Sequence, residues 1–241
     1  MPTGTLETVR NRVKRILGEF PFFTGENSLS DAVIDEGIAQ AVSRLSRNVP
    51  YIVVEDETGD SGRYYALSDL DSWEDDFSQI RQIDWDVGTR VGSDESPQFL
   101  QLDDGDWRIY RDPTTRYLYF PSRTPSSSVT FRVTYTARYT LSGATSTIPR
   151  QFEDAVVFLG VSRVARIVQL RVEKSLDPPM GVEFVTMRNK GSGFKSVSDG
   201  YEKLYIEEIG GEGVIGASSE REDDLRFQHG EQYMFHHGRL R

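Results

Sequence analysis

The chain has 241 residues, 37% of them hydrophobic and 11% aromatic, which is enough for one large domain or two modest ones with a real core. It has no cysteine, which removes disulfides, thiolate metal sites and cysteine nucleophiles together and fits a reducing site of synthesis. The net charge of −10 is unevenly spread: residues 51–147 hold seventeen acids against nine bases, whereas 1–50 hold six of each. A protein that grips DNA phosphates carries a basic stripe, so tight nucleic-acid binding is disfavoured, while an acidic surface past which DNA slides fits the balance.

No secretory signal opens the sequence, because "TLETVRNRVKRIL" alternates charged and apolar residues without a continuous apolar stretch. The longest apolar run, "AVVFLGV" at 155–161, is far shorter than the ~20 residues of a membrane helix. The expectation is a soluble protein made in the cytoplasm, with no membrane contact.

The first segment, 1–50, reads as a helix pair. Leu6, Val9, Val13, Ile16, Leu17 and Phe20 recur at helical steps, with Arg10, Arg12, Lys14 and Arg15 mostly off that stripe. Pro21 ends the first helix. After the loop "FFTGENS", Ser28 or Ser30 is placed to cap the second helix. Its stripe is Ile34, Ile38, Ala41, Val42, Leu45 and Val49, and Pro50 closes it.

At Tyr51 the period becomes strand-like. "YIVVE", "RYYAL", "SQIRQIDW", "QFLQL", "WRIYR", "RYLYF" and "SVTFRVTYTARYTL" are rich in β-branched and aromatic residues, and turn formers separate them. In the last, Val129, Phe131, Val133 and Tyr135 alternate with Thr130, Arg132, Thr134 and Thr136. Residues 51–147 are therefore expected to form an antiparallel β module.

Helical pattern returns in 148–212. From Phe152 to Val172 the chain is apolar on nearly every face, so that helix must be covered on more than one side, by the first helices, the β module or a neighbouring subunit. "LDPPMG" and "NKGSG" interrupt the pattern, and Phe194, Val197, Tyr201, Leu204 and Tyr205 mark a last helix. The fold class is α+β: about four helices with an antiparallel β module inserted between the second and third. An extended arm, 213–241, follows.

All three histidines, His229, His236 and His237, lie in that arm. Adjacent His236 and His237 diverge on a helix or strand, so the spacing does not suit a metal, and none is expected. "DETGDSG" and "DLDSWEDD" fail the calcium-loop pattern, which needs Gly at the sixth position and Glu at the twelfth, and read as solvated turns. "GSG" at 191–193 is too short for a phosphate cradle. No catalytic signature appears, so no catalytic or cofactor-binding residue is assigned and the chain is read as a non-enzyme. Leu225, Phe227, Tyr233, Met234, Phe235 and Leu240 are large apolar groups beyond a glycine-rich tether. They either pack back on their own domain or dock along another chain.

The order of these pieces resembles the head-to-tail adaptor (neck, or connector) proteins of tailed bacteriophages. "SWEDDFSQIRQIDW", "DDGDWRIYRDPTTRYLYF" and "SVSDGYEKLY" are similar to stretches of that family's β-inserted members. The best match is "FRVTYTARYTLSGATSTIPRQFEDAVVFLGVSRVA": a strand end, a Thr-x-Ile-Pro turn and an acid-containing apolar helix. The likeness covers roughly residues 5–209 and rests on the order of motifs rather than on any single one.

The resemblance implies a structural virion protein of the neck. It would form a ring of about twelve copies beneath the portal, made in the host cytoplasm and joined to a tail or nozzle protein. Genomic DNA would pass through the channel, which an acidic segment keeps from adhering. Phe152, Val156, Leu159, Arg163 and Arg166 become candidate subunit-interface residues. Leu225, Phe227, His229, Tyr233, Met234, Phe235, His236, His237 and Leu240 become a portal-docking arm. Two rivals remain: a carbohydrate- or protein-binding component of a tail or baseplate, needing exposed Trp73, Trp85 or Trp107, and a hydrolase using paired acids in a cleft.

Overall fold

A computed structural model describes residues 4–20, 29–87, 100–103, 105–175 and 184–210, with side chains described for all of these except 172–175 and 184–191. The fold is α+β, with a strand module between the second and third of four helices, and the chain divides into two compact units. One comprises residues 1–49 and 139–241, the other Pro50–Arg138.

In the helical unit, α1 (Leu6–Gly18) buries Val9, Val13 and Leu17, three positions at helical spacing. Its first turn is capped by Thr5, whose hydroxyl accepts from the Thr8 N–H at 3.4 Å. The off-stripe bases bind neighbouring helices. Arg10 forms a two-pronged pair with Asp35 at 2.7 Å on each prong, Lys14 reaches Asp31 at 2.5 Å, and Arg12 pairs with Asp154.

The second helix, α2 (Asp31–Asn48), buries Val33, Ile34, Gly37, Ile38, Ala41, Val42 and Leu45. Ser30 occupies its N-cap position but makes no side-chain cap bond; its carbonyl accepts from Val33 N at 3.0 Å and Ile34 N at 3.3 Å. Ser28 lies outside the described residues.

The long apolar helix is α3 (Glu153–Ser175). The chain's own α1, α2 and α4 (Phe184–Glu208) all pack against it. Gly37 of α2 lets α2 and α3 approach closely, and Gly160 of α3 does the same for α1. A Cβ added at Gly37 would sit 2.5 Å from a Val164 methyl, and one at Gly160 would sit 3.3 Å from a Val13 methyl. Ser162 and Ser198 share a buried hydroxyl contact of 3.2 Å between α3 and α4.

The sequence "NKGSG", read as a break, lies inside α4. Glycine costs a helix only about 1 kcal/mol relative to alanine. Burial of Phe194, Val197, Tyr205 and Ile209 beyond it favours continuation.

The β unit holds two antiparallel sheets. The first has strand order β1 (Tyr51–Thr58), β7 (Thr130–Ala137), β3 (Ile80–Trp85), β4 (Leu100–Gln101). The second has order β2 (Tyr64–Ala66), β6 (Arg116–Tyr119), β5 (Arg108–Arg111). Central β7 pairs Val53 with Tyr135 on one side and Val133 with Ile83 on the other. Phe131, Val133 and Tyr135 point inward, as their alternation requires, and meet Leu118 and Phe120 in a common core.

The sequence extends the module to 147, whereas the compact unit stops at Arg138. Tyr139 is buried and its N–H donates to Ser46 Oγ of α2 at 3.0 Å, which binds the following segment to the helices.

Candidate assembly surfaces

The candidate interface residues fall into two groups. Val156 and Leu159 are fully buried within the helical unit, under the chain's own helices, so they offer no surface to a neighbour. The apolar girth of α3 is met largely inside the protomer. Phe152 is half-buried in the single helical turn Arg150–Phe152, Arg163 is partly exposed and Arg166 is exposed. The arm residues Leu225, Phe227, His229, Tyr233, Met234, Phe235, His236, His237 and Leu240 lie outside the described residues.

Arg163 opens onto a groove of about 660 Å³ that the sequence reading did not single out. Its floor is one stripe of α2, with Gln40, Ser43, Arg44 and Arg47 recurring at helical spacing. Two guanidinium groups share one carboxylate: Glu202 Oε1 lies 2.5 Å from Arg44 Nη1 and 3.6 Å from Arg163 Nη2. The Arg44 guanidinium also lies 6.0 Å from the centre of the Tyr205 ring, whose hydroxyl accepts from Asn48 Nδ2 at 2.7 Å. Burial pushes the Arg163 pKa down, and the neighbouring Arg44 charge pushes it further. Arg47 is exposed and donates to Ser43 Oγ at 3.4 Å. The groove thus carries more positive charge than its carboxylates offset. Its signal in the sequence was weak because the groups lie on three helices, up to 158 residues apart.

The β unit carries the opposite sign. Glu57, Asp69 and Asp71 form an acidic ledge with Glu55. Burial raises the Glu57 pKa first, and the charges of Glu55, Asp69 and Asp71 raise it further. Glu55 is engaged: it accepts from the Tyr135 hydroxyl at 2.6 Å and from Asp71 N–H at 3.0 Å. Among the described residues no cation pairs with Glu57, Asp69 or Asp71.

The tryptophans form no platform. Trp73, Trp85 and Trp107 are half-buried and packed against the β core. Trp85 lies 5.5 Å from Phe120 and 6.4 Å from Phe131, with the Arg123 guanidinium over its ring, while Trp73 donates its indole N–H to Asp75 at 2.8 Å. The exposed aromatics are tyrosines instead. Tyr64 and Tyr110 are exposed and share one face of the three-stranded sheet with half-buried Tyr117 and Tyr119, as the registers Tyr64 with Tyr119 and Tyr110 with Tyr117 dictate. Tyr64 and Tyr119 stack on one another at 4.7 Å, which occupies those faces.

The acid-rich turns behave as turns. Asp60 accepts from Gly62 N–H at 2.7 Å, closing the loop where Ser61 takes a left-handed φ of 69°. Among the described residues no group of three or more His, Asp or Glu is arranged to hold a metal ion. No helix among them is long and apolar enough to cross a membrane.

No family model matches the chain, and no curated protein matches it. A solved structure described as "Neck of empty GTA particle computed with C6 symmetry" is similar over 76% of this chain and 88% of that chain, at 12% identity and a TM-score of 0.28. At that score the likeness carries no argument about function.

Proposed function

We propose that the chain is a structural, non-enzymatic virion protein: a ring-forming head-to-tail adaptor that docks under a phage portal and joins capsid to tail. The observation that carries this reading is the order of elements. Two N-terminal helices, an inserted β module, a long third helix and a final helix follow one another as the adaptor resemblance implies. The motif-by-motif similarity of residues 5–209 supports the same reading. The ring has about twelve copies, and a tail or nozzle protein binds it on the side away from the portal. The net negative charge of the β module, seventeen acids against nine bases over residues 51–147, repels DNA phosphates and leaves passing genome unbound.

The arm clamps the ring to the portal through Phe227, Tyr233 and Phe235, aromatic anchors of the kind that dominate interfaces. The test is deletion of residues 217–241. The expected result is a folded protein, with unchanged circular dichroism, that no longer co-sediments with portal. Undiminished portal binding would remove the arm from the account, and unfolding would show that it packs on its own domain.

The carbohydrate-binding alternative loses its main support, because the three tryptophans that would stack on sugar are packed against the core.

A further inference from the structure

We infer that the arginine groove of one copy receives the acidic ledge of a second copy, with Arg44, Arg47 and Arg163 facing Glu57, Asp69 and Asp71. This contact rests on the ring-forming reading and names the two surfaces that would close the ring. A ring of more than two copies needs a heterologous interface, in which two different patches on each copy are complementary. The chain carries such a pair, one in each compact unit.

Each patch has charge left over. In the groove, Arg44 and Arg163 divide one Glu202 carboxylate and Arg47 faces solvent. On the ledge, Glu57, Asp69 and Asp71 have no cation partner among the described residues. Bringing them together relieves like-charge repulsion on both sides at once. Guanidinium–carboxylate pairs are strong and directional when partly desolvated.

The shape fits an extended segment better than a small anion. The stripe from Glu36 to Arg47 runs about 16 Å along α2, and the groove's 660 Å³ far exceeds a single carboxylate or phosphate. Like charges placed opposite one another would reject a copy docked in the wrong register.

Paired charge reversals in the full chain provide the test. Arg47 and Asp71 are both exposed, so Arg47→Glu and Asp71→Arg leave the core untouched. Each variant alone is expected to self-associate roughly tenfold or more weakly than wild type, by sedimentation velocity. A one-to-one mixture restores assembly, because the reversed groove of one variant meets the reversed ledge of the other while the second contact stays native. The double variant R47E/D71R restores it as well. Thermal melts of each variant check folding.

Wild-type rings unaffected by either reversal overturn this contact and leave the ring reading intact. Rings that survive Arg47→Glu while portal binding is lost also overturn it, and assign the groove to the portal. Wild-type chain that never self-associates, with or without portal, overturns the ring reading and this contact with it.

Discussion

The two compact units are held together by opposite strategies. The helical unit is largely aliphatic and close-packed, and small residues at Gly37, Gly160 and Ser162 let α1, α2 and α4 approach α3. The β unit is built from rings. Phe131 lies 4.9 Å from Tyr65, 5.3 Å from Phe120 and 6.4 Å from Trp85, while Tyr135 packs on Trp73 at 5.6 Å. The first unit is therefore vulnerable to added atoms and the second to removed ones, since tight interfaces have no room and ring clusters collapse poorly around a void.

Three substitutions sharpen that contrast. Phe131→Ala empties the centre of the ring cluster and is expected to cost about 3–5 kcal/mol, with loss of the near-ultraviolet dichroism that the packed aromatics produce. A loss below about 1 kcal/mol would mean that neighbouring rings refill the space, against the contrast drawn.

Gly37→Val pushes side-chain atoms into Val164, where even a bare Cβ would come within 2.5 Å. It should cost about 1–3 kcal/mol in thermal or urea unfolding, followed at 222 nm. Wild-type stability would show that α2 and α3 can separate freely.

The smallest effect is expected at Glu57. Its folded pKa lies above the ordinary 4.5, so its ionisation opposes folding. The penalty is absent below the unfolded pKa, grows as pH rises through the folded pKa and is complete above it. Glu57→Gln should therefore raise Tm slightly at pH 7 and leave it unchanged at pH 4. An equal shift at both pH values would point to packing instead.

Much of this architecture was legible because hydrophobic period reports burial directly. The stripes through Val9, Val13 and Leu17 and through Ile34, Ile38, Ala41 and Leu45 lie on the buried faces of α1 and α2. The alternation of Phe131, Val133 and Tyr135 sets the inner face of β7.

What resisted the sequence were features that need a partner element. The girth of α3 suggested a neighbouring subunit at Val156 and Leu159, but α1, α2 and α4 cover it. The glycines of "NKGSG" suggested a break, but burial of Phe194, Val197 and Tyr205 beyond a weak local signal kept the helix intact. Arg44, Arg163 and Glu202 meet only once α2, α3 and α4 are packed, so no local pattern joins them. Trp73, Trp85 and Trp107 are equally compatible with a platform or a core until β7 is placed beneath them.

Native mass spectrometry of the full chain, alone and mixed with portal protein, with negative-stain images of the same samples, decides whether the chain is a ring-forming adaptor. The expected result is closed rings of about twelve copies, formed by the chain itself or on the portal. A single-copy mass in both samples, with no ring and no portal-bound species, would contradict it.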